Sequence, residues 1–193
     1  MLPDNERSRP AGNRTAPDDL LAGGIETDHI ANGPSAGGAV PMAEAATVGA
    51  LLIGRREDQL LILGVTCPSD FTDRRCAFVV STAERMLAQD VPIDQVTMPG
   101  FVLRYGLLAA DQPRMLLRSF LVEMVATAPV PASGTWYAAQ VLEAAVRRRG
   151  SAAGRRISRV FEDGALADLR TVLLAELAAV MAELNRAEVS VNA

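Results

Sequence analysis

The feature that most constrains this sequence is an amphipathic helical pattern between Asp70 and Pro92. Its apolar residues recur at steps of three and four, which places them on one face of an α-helix. They are Cys76, Val79, Val80, Ala83, Met86 and Leu87. Burial of six such side chains contributes about 9–18 kcal/mol before chain entropy opposes it. We therefore predict a core helix, capped by Thr72 or Asp73 and ended by Pro92.

Composition favours helices over sheets. The chain has 193 residues, of which 49% are apolar and only 4% aromatic, and it is rich in the helix formers alanine and leucine. This length fits one domain, or one domain with an extension. We predict an all-α fold: a globular bundle of about five to six helices, followed by a protruding antiparallel helical hairpin.

The predicted organisation has four parts. Residues 1–40 contain many Pro, Gly and polar residues and no apolar period beyond Leu20-Leu21, which is typical of a disordered tail. Residues 41–132 are predicted to form the bundle, 133–189 the hairpin and 190–193 a second tail. Helices are expected over 43–54, 58–63, 98–104, 135–161 and 165–188, and a further helix opens at Asp111 or Gln112.

Several positions within these helices are assigned roles. The first helix is expected to bury Ala46, Ala50 and Ile53, and Gly49 to let another helix approach closely. The helix that opens near residue 111 is expected to bury Leu116, Phe120, Leu121, Met124 and Val125. Gly106 should end the helix before it. Gly150 and Gly154 should weaken or kink the first hairpin helix.

The residue inventory argues against an enzyme. All nineteen basic residues are arginine and none is lysine, so no G-x-x-x-x-G-K-[ST] phosphate loop can exist. The only histidine, His29, lies in the predicted tail, which excludes a Ser/His/Asp or Cys/His set. Cys67 and Cys76 form neither a disulfide framework nor a metal-ligand spacing. We predict no ATPase or helicase activity by this chain alone, no catalytic residue, no metal and no cofactor.

Charge and hydropathy limit the kinds of partner and the cellular location that we predict for this chain. The net charge of −4 weighs against a general nucleic-acid binder. No run of 18 apolar residues is present, so no membrane span or membrane partner is predicted. The N-terminus has no apolar h-region of a signal peptide. The two cysteines are interpreted as reduced thiols of a cytoplasmic protein.

Short blocks in order along the chain resemble the N-terminal domain of the bacterial replicative DNA helicase, DnaB. The resemblance spans about residues 42–188. The residues that match the pattern of this family are Glu44, Gly49, Leu51, Leu52, Asp70, Phe71, Pro92, Ile93, Asp94, Val96, Thr97, Pro129, Trp136, Tyr137 and Ala138. The sequence departs from the family at Val48, at Pro99-Gly100 and at Ser133, and it lacks the Gly-Gly pair that the family has after the helix predicted over 98–104.

Two of these blocks also have a direct physical interpretation. In the turn from Pro92 to Thr97, we expect Ile93 and Val96 to point inward, Asp94 to close a local turn and Thr97 to cap the next helix. Trp136 and Tyr137 are interpreted as packing residues rather than as a platform on which nucleic-acid bases stack.

The last predicted helix has an apolar seam close to a heptad repeat. The seam residues are Leu166, Leu169, Leu173, Leu177, Val180 and Leu184. The resemblance implies a homo-oligomer: a dimer through this hairpin that can build a ring. It also implies docking of primase, of a helicase or of a helicase loader in DNA replication.

An arginine-rich stretch lies on the first hairpin helix. Its members are Arg147, Arg148, Arg149, Arg155, Arg156 and Arg159. One interpretation is a solvated face that pairs with Glu176, Glu183 and Asp168 of the second helix. The other is a surface for an anionic partner, either DNA phosphates or an acidic protein patch. A small arginine-rich nucleic-acid-binding protein is therefore one alternative to an interaction module. A decayed accessory fragment is another, which Pro99-Gly100 and the glycines Gly150 and Gly154 allow.

Overall fold

The computed structural model describes residues 41–108, 111–128, 130–163 and 166–191. The predicted tail of residues 1–40, with His29, and the motif residue Pro129 lie outside them. The described residues form seven α-helices and no strand, which confirms the all-α prediction. The helices are α1 (Met42–Ile53), α2 (Arg56–Val65), α3 (Arg74–Ala88), α4 (Thr97–Arg104), α5 (Asp111–Thr127), α6 (Gly134–Asp163) and α7 (Leu166–Val191).

Helix α1 lies at the centre of the bundle and contacts α2, α3, α5 and α6. Every residue from Glu44 to Leu52 is buried. The prediction of one apolar face through Ala46, Ala50 and Ile53 was therefore too narrow, and it was wrong for Ile53, which is 40% exposed. A helix with neighbours on all sides is apolar around its whole circumference, so its periodicity does not identify a single buried face.

Gly49 brings α5 close to α1, as the sequence predicts. A methyl group at this position would lie 2.6 Å from Ala128 Cβ and would overlap the carbonyl oxygen of Met124. Gly134 lies close to two helices at the start of α6, where a methyl group would lie 2.6 Å from Ile62 Cδ1 on α2 and 3.0 Å from Ala50 Cβ on α1. The absence of a side chain at these two positions sets the distance between the helix axes.

Helix α3 matches its prediction closely. Cys76, Val79, Val80, Ala83 and Met86 are fully buried, whereas Leu87 is half-buried at the end of the helix. Asp73 is the N-cap: its carboxylate accepts the N–H of Arg75 at 2.8 Å. Thr82, a polar residue of the same helix, is also fully buried, and its hydroxyl donates to the carbonyl of Phe78 at 2.8 Å.

Helix α4 follows its predicted extent, whereas α5 corrects one expectation. Helix α4 runs unbroken across Pro99-Gly100, because Pro99 lies in the first turn, where a missing N–H costs no helical hydrogen bond. Gly106, with φ of +61°, follows its end as predicted. On α5, Phe120, Leu121 and Met124 are buried, but Leu116 is 54% exposed and Leu117 is buried instead. The rotation of α5 against α1 decides which of these adjacent leucines faces the core.

Helices α6 and α7 form the antiparallel hairpin. Their 30 and 26 residues correspond to lengths of about 45 and 39 Å. Helix α6 continues through Gly150 and Gly154 without the interruption that was expected. Its first half supplies Ala138, Val141 and Leu142 to the bundle interior. Beyond Ala153, no residue of the hairpin whose side chain is described is buried, so α6 belongs to the bundle at one end and to the hairpin at the other.

Two further properties bear on function. Across the described ranges, no single helix is both long and apolar enough to cross a membrane. One bent pair, Met115–Thr127 with Pro131–Glu162, meets those criteria across a bend of 92°. In the same ranges, no group of three or more His, Cys, Asp and Glu side chains is placed to hold a metal ion.

Candidate protein-interaction site

The hairpin is attached to the bundle by a buried ionic cluster centred on Asp70. The Asp70 side chain is fully buried at the end of the 3-10 segment Pro68–Asp70. It receives both terminal nitrogens of Arg186 on α7, at 2.9 and 2.7 Å, and Arg149 of α6 at 2.9 Å. Glu183 accepts from Arg149 and from Arg186, each at 2.7 Å. These four residues are called the Asp70 junction, and they join the bundle to both arms of the hairpin.

The charges of the Asp70 junction balance, since two carboxylates face two guanidinium groups. Burial disfavours the charged form of Asp70, but the hydrogen bonds from Arg186 and from the Cys67 N–H outweigh it, so the pKa of Asp70 lies below its ordinary value. The hydrogen bond to Asp70 raises the pKa of Arg186. Asp70 and Arg186 are therefore both charged at neutral pH, as a two-nitrogen guanidinium–carboxylate pair requires.

Further hydrogen bonds support the same segment. Arg148 donates to the backbone carbonyl of Asp70 at 2.7 Å, and Arg149 donates to the hydroxyl of Ser69 at 2.9 Å. The thiol of Cys67 lies 3.3 Å from a carboxylate oxygen of Asp70 and 3.3 Å from Arg186 Nη1. Two adjacent arginines of α6 thus hold one short segment of the bundle.

The sequence analysis identified Asp70 as a residue that matches the family pattern, but assigned it no partner. Its partners lie 79 and 116 positions further along the chain, beyond any local pattern. One feature of the sequence could have indicated these partners. Glu183 and Arg186 interrupt the apolar face of the last helix at positions that face α6, where a charge is stable only with a partner.

Glu44 and Phe71, two more motif residues, connect α1 to the beginning of α3. The buried carboxylate of Glu44 accepts the N–H groups of Thr72 and Asp73 at 2.8 and 3.0 Å. These N–H groups precede the first turn of α3, where a carboxylate is favoured by the unpaired donors and by the helix dipole. Phe71 is 7% exposed and belongs to the core.

The turn from Pro92 to Thr97 differs from its prediction in two details. Ile93 is buried as expected, but Val96 is 80% exposed. Asp94 rather than Thr97 satisfies the N–H groups at the start of α4: its carboxylate accepts the N–H groups of Val96 and Thr97 at 2.7 Å each. Burial opposes ionisation of Asp94, yet the hydrogen bonds from the Thr97 N–H, the Thr97 hydroxyl and the Val96 N–H together outweigh it and lower the pKa of Asp94. Ile93 is further fixed because Gln59 donates to its carbonyl at 2.8 Å.

The predicted arginine surface is divided by the fold. Arg149 pairs with Glu183 and Asp70, and Arg156 donates to Glu176 at 2.7 Å, as the intramolecular alternative expects. Arg147 pairs with Glu143 on its own helix. Arg155 and Arg159 are exposed and have no ion pair within the described part of the chain. The predicted pairing with Asp168 is not found there either.

The predicted seam of α7 is divided between two faces. Leu169, Leu173 and Val180 are half-buried, along the face whose polar members Glu176 and Glu183 pair with α6. The side chain of Leu166 lies outside the described residues. A separate exposed row contains Leu174, Leu177, Met181 and Leu184, which are 57, 49, 54 and 40% exposed. We call this row the hairpin stripe; Leu174 and Met181 were not in the predicted seam.

A groove continues the hairpin stripe towards the bundle. It has a volume of about 710 Å³ and is lined by Trp136, Leu142 and Val146 of α6 and by Leu184 of α7. Trp136 is 63% exposed, and its ring stands edge to face against Tyr137 at 5.6 Å. Trp136 was interpreted as a packing residue rather than a base-stacking platform; within this chain its ring packs on Tyr137 but not in the core, because the outer face of α6 carries it outward.

This architecture is that of an all-α domain whose last bundle helix extends into a hairpin. A solved structure, the N-terminal domain of DnaB helicase from Mycobacterium tuberculosis, is similar to it with a TM-score of 0.61 and 27% sequence identity. The match covers 72% of this chain and 94% of that chain. The chain thus contains a DnaB N-terminal-like domain. No family model matches the sequence, and no curated protein matches it.

Proposed function

We propose that this chain is a self-association and protein-interaction module of DNA replication, in which the hairpin of one copy packs against the hairpin of another. The proposal is supported by the hairpin stripe together with the Trp136 groove. Both lie on the hairpin. The four stripe residues and Trp136 are exposed among the described residues, and the groove is mainly apolar, with Glu143, Arg147 and Glu188 among its polar lining. Water-exposed apolar rows of this length are characteristic of interfaces.

The spacing of the hairpin stripe specifies the kind of contact. Leu174, Leu177, Met181 and Leu184 are separated by 3, 4 and 3 residues, which is the repeat of a helix that packs along another helix at a shallow angle. Trp136 at the end of this row is a typical anchor residue, because a large aromatic side chain buries much area with little loss of rotamer freedom.

The proposal is tested by the mass of the full chain in solution, measured by light scattering after size exclusion over a range of concentrations. We expect a dimer or a larger oligomer that dissociates when Leu177→Glu and Met181→Glu are combined. The matched control, Ala178→Glu with Ala182→Glu, adds the same charges one position further along α7 and should leave the oligomer intact. A wild-type chain that is monomeric at 100 µM would contradict the proposal.

The only tryptophan gives a second measurement. Because Trp136 is exposed in the single chain, its fluorescence should shift to shorter wavelength as the protein concentration rises and the groove is covered. A shift that is absent from the Leu177→Glu/Met181→Glu variant ties the covered groove to the hairpin stripe.

Partners in trans are proposed to be other replication proteins: a replicative helicase with the same kind of domain, primase or a loader. The support is the similarity to the N-terminal domain of a helicase and the apolar surface described above. A pull-down of the full chain with purified helicase and primase tests this. Absence of binding to either at micromolar concentration, by a chain that does self-associate, would limit the function to self-association.

We propose no enzymatic role, since the lysine-free sequence cannot form the phosphate loop that an ATPase of this kind requires. Location in the cytoplasm stays a prediction. Binding of DNA by the arginine-rich face of α6 has less support than the protein-interaction role, because four of its six arginines are already engaged by groups of the same chain. A steep fall of DNA affinity with salt would be needed to establish it.

A further inference from the structure

A cavity of about 340 Å³ lies on the bundle surface beside the start of α3. We call it the α3 cavity. Its apolar lining comes from Pro68, Phe71, Ala77 and Phe78, and its polar lining from Ser69, Arg74 and Ser81. An apolar concavity with a few polar groups at its edge is the usual form of a site for a side chain or a small ligand.

Arg74 gives the α3 cavity a preference for charge. It is exposed and forms no ion pair with any residue that the structure describes. Its neighbour Arg75, by contrast, is held by the Asp73 carboxylate at 2.7 Å. An unpaired guanidinium beside two aromatic rings favours a ligand that carries a carboxylate next to an apolar group.

The described chain begins next to this cavity. Pro41 precedes the first turn of α1, and in that turn the Glu44 carboxylate accepts the N–H groups of Thr72 and Asp73. Those two residues lie between Phe71 and Arg74, which both line the cavity. The residues that precede Pro41 therefore join the bundle within about two helical turns of the α3 cavity.

We propose that the α3 cavity binds the segment Asp18–Leu21 of the same chain. This segment lies outside the described residues and reads Asp-Asp-Leu-Leu. It combines carboxylates with apolar side chains, as the lining of the cavity requires. Its carboxylates can pair with Arg74, and its leucines can pack against Phe71 and Phe78. The contact lies within one chain and does not depend on self-association through the hairpin.

The length of the connection permits this contact. Twenty positions separate Leu21 from Pro41, which can span at most about 70 Å. Tethering over such a distance gives an effective concentration of about a millimolar. A contact too weak to hold a separate peptide is therefore sufficient within one chain.

Binding of the segment would reach the Asp70 junction. Pro68 and Ser69 line the cavity and belong to the 3-10 segment that ends in Asp70. Ser69 also accepts the hydrogen bond from Arg149 of α6. An occupied cavity therefore stabilises the 3-10 segment to which both helices of the hairpin are attached. Binding of residues 18–21 is thus coupled to the attachment of the hairpin.

Photo-crosslinking of the full chain tests the proposal. The photoreactive residue p-benzoylphenylalanine replaces Ser81 at the cavity edge or, as a control, the exposed Val122 of α5. We expect crosslinks from position 81 to residues 18–21 at the mass of a single chain, and none from position 122. Crosslinks from position 81 found only at the mass of two chains, or only elsewhere in the chain, would overturn it.

Hydrogen exchange of the unmodified full chain gives an independent measurement. The double variant Leu20→Ser/Leu21→Ser should raise the exchange rates of residues 68–78 severalfold, whereas the control Ile25→Ser/Ile30→Ser should not. Arg74→Glu should have the same effect as the leucine changes, and adding Asp18→Arg/Asp19→Arg should restore protection. Equal exchange in the wild type and the leucine variant, or protection that rises with protein concentration, would contradict a contact within one chain.

Discussion

Asp70 and Arg186, 116 positions apart in the sequence, form a two-nitrogen ion pair at 2.9 and 2.7 Å around a fully buried carboxylate. Through this pair the last helix of the hairpin is attached to a short segment of the bundle. Removal of one partner of a buried pair is costly, because the other charge remains desolvated. The attachment of the hairpin therefore depends on a small number of charged groups.

The energy of this pair can be measured by a double-mutant cycle. Asp70→Asn should reduce the free energy of unfolding by roughly 3 kcal/mol, measured by urea denaturation. The coupling between Asp70→Asn and Arg186→Gln should exceed about 1 kcal/mol. The exposed pair of Arg147 with Glu143 is the control, with an expected coupling of about 0.3–0.5 kcal/mol. Additive effects of the two junction changes would show that the hairpin is held by packing alone.

The same carboxylate predicts an acid dependence. The pKa of Asp70 is lowered in the folded protein, so its contribution to stability is present above the ordinary Asp pKa of 3.8 and is lost as the pH falls below it. Between pH 5 and pH 2 the melting temperature of the wild type should fall more than that of Asp70→Asn. Asp168→Asn, an exposed change on α7, should follow the wild type. Parallel curves for wild type and Asp70→Asn would contradict this prediction.

Two glycines should respond in opposite directions to the same change. Gly49→Ala forces a methyl group into Met124 and Ala128, which should cost about 1–3 kcal/mol. Gly154→Ala places a methyl group where no atom lies within 4 Å, so it should stabilise the helix by about 0.5–1 kcal/mol. Thermal unfolding of the two variants measures both effects. A neutral Gly49→Ala would mean that α1 and α5 separate more easily than their packing indicates.

The two cysteines should differ in reactivity. Cys67 is partly exposed, whereas Cys76 is fully buried, and burial raises the pKa of its thiol. At pH 8 we expect an alkylating reagent to modify one thiol per native chain and two per chain in denaturant, as counted by mass spectrometry. Cys67→Ser should abolish the native labelling. Rapid labelling of Cys76 without denaturant would indicate that α3 opens easily.

Local pattern was sufficient for several elements. The steps of three and four in α3 specify its buried face, because the period of a helix is an intrinsic property of the backbone. The turn closed by Asp94 and the glycine after α4 were also predictable from the sequence. Asp94 requires only N–H groups that are two and three residues away, and Gly106 adopts a positive φ that favours glycine. The leucines of α7 show the limit of local pattern. The pattern predicted an apolar helix correctly, but it assigned Leu169 and Leu177 to one seam, whereas Leu169 is half-buried and Leu177 is exposed.

The sequence by itself therefore determined the helical class, the positions of the main helices and the close approach of a second helix at Gly49. The tertiary structure decided which side of each helix faces a neighbour, as at Leu116 and Leu117, and which distant charges meet, as at Asp70 and Arg186. The physical reason is the range of the interactions. Periodicity and capping act over a few residues, whereas burial and ion pairing depend on the rotation and crossing of helices far apart in the chain.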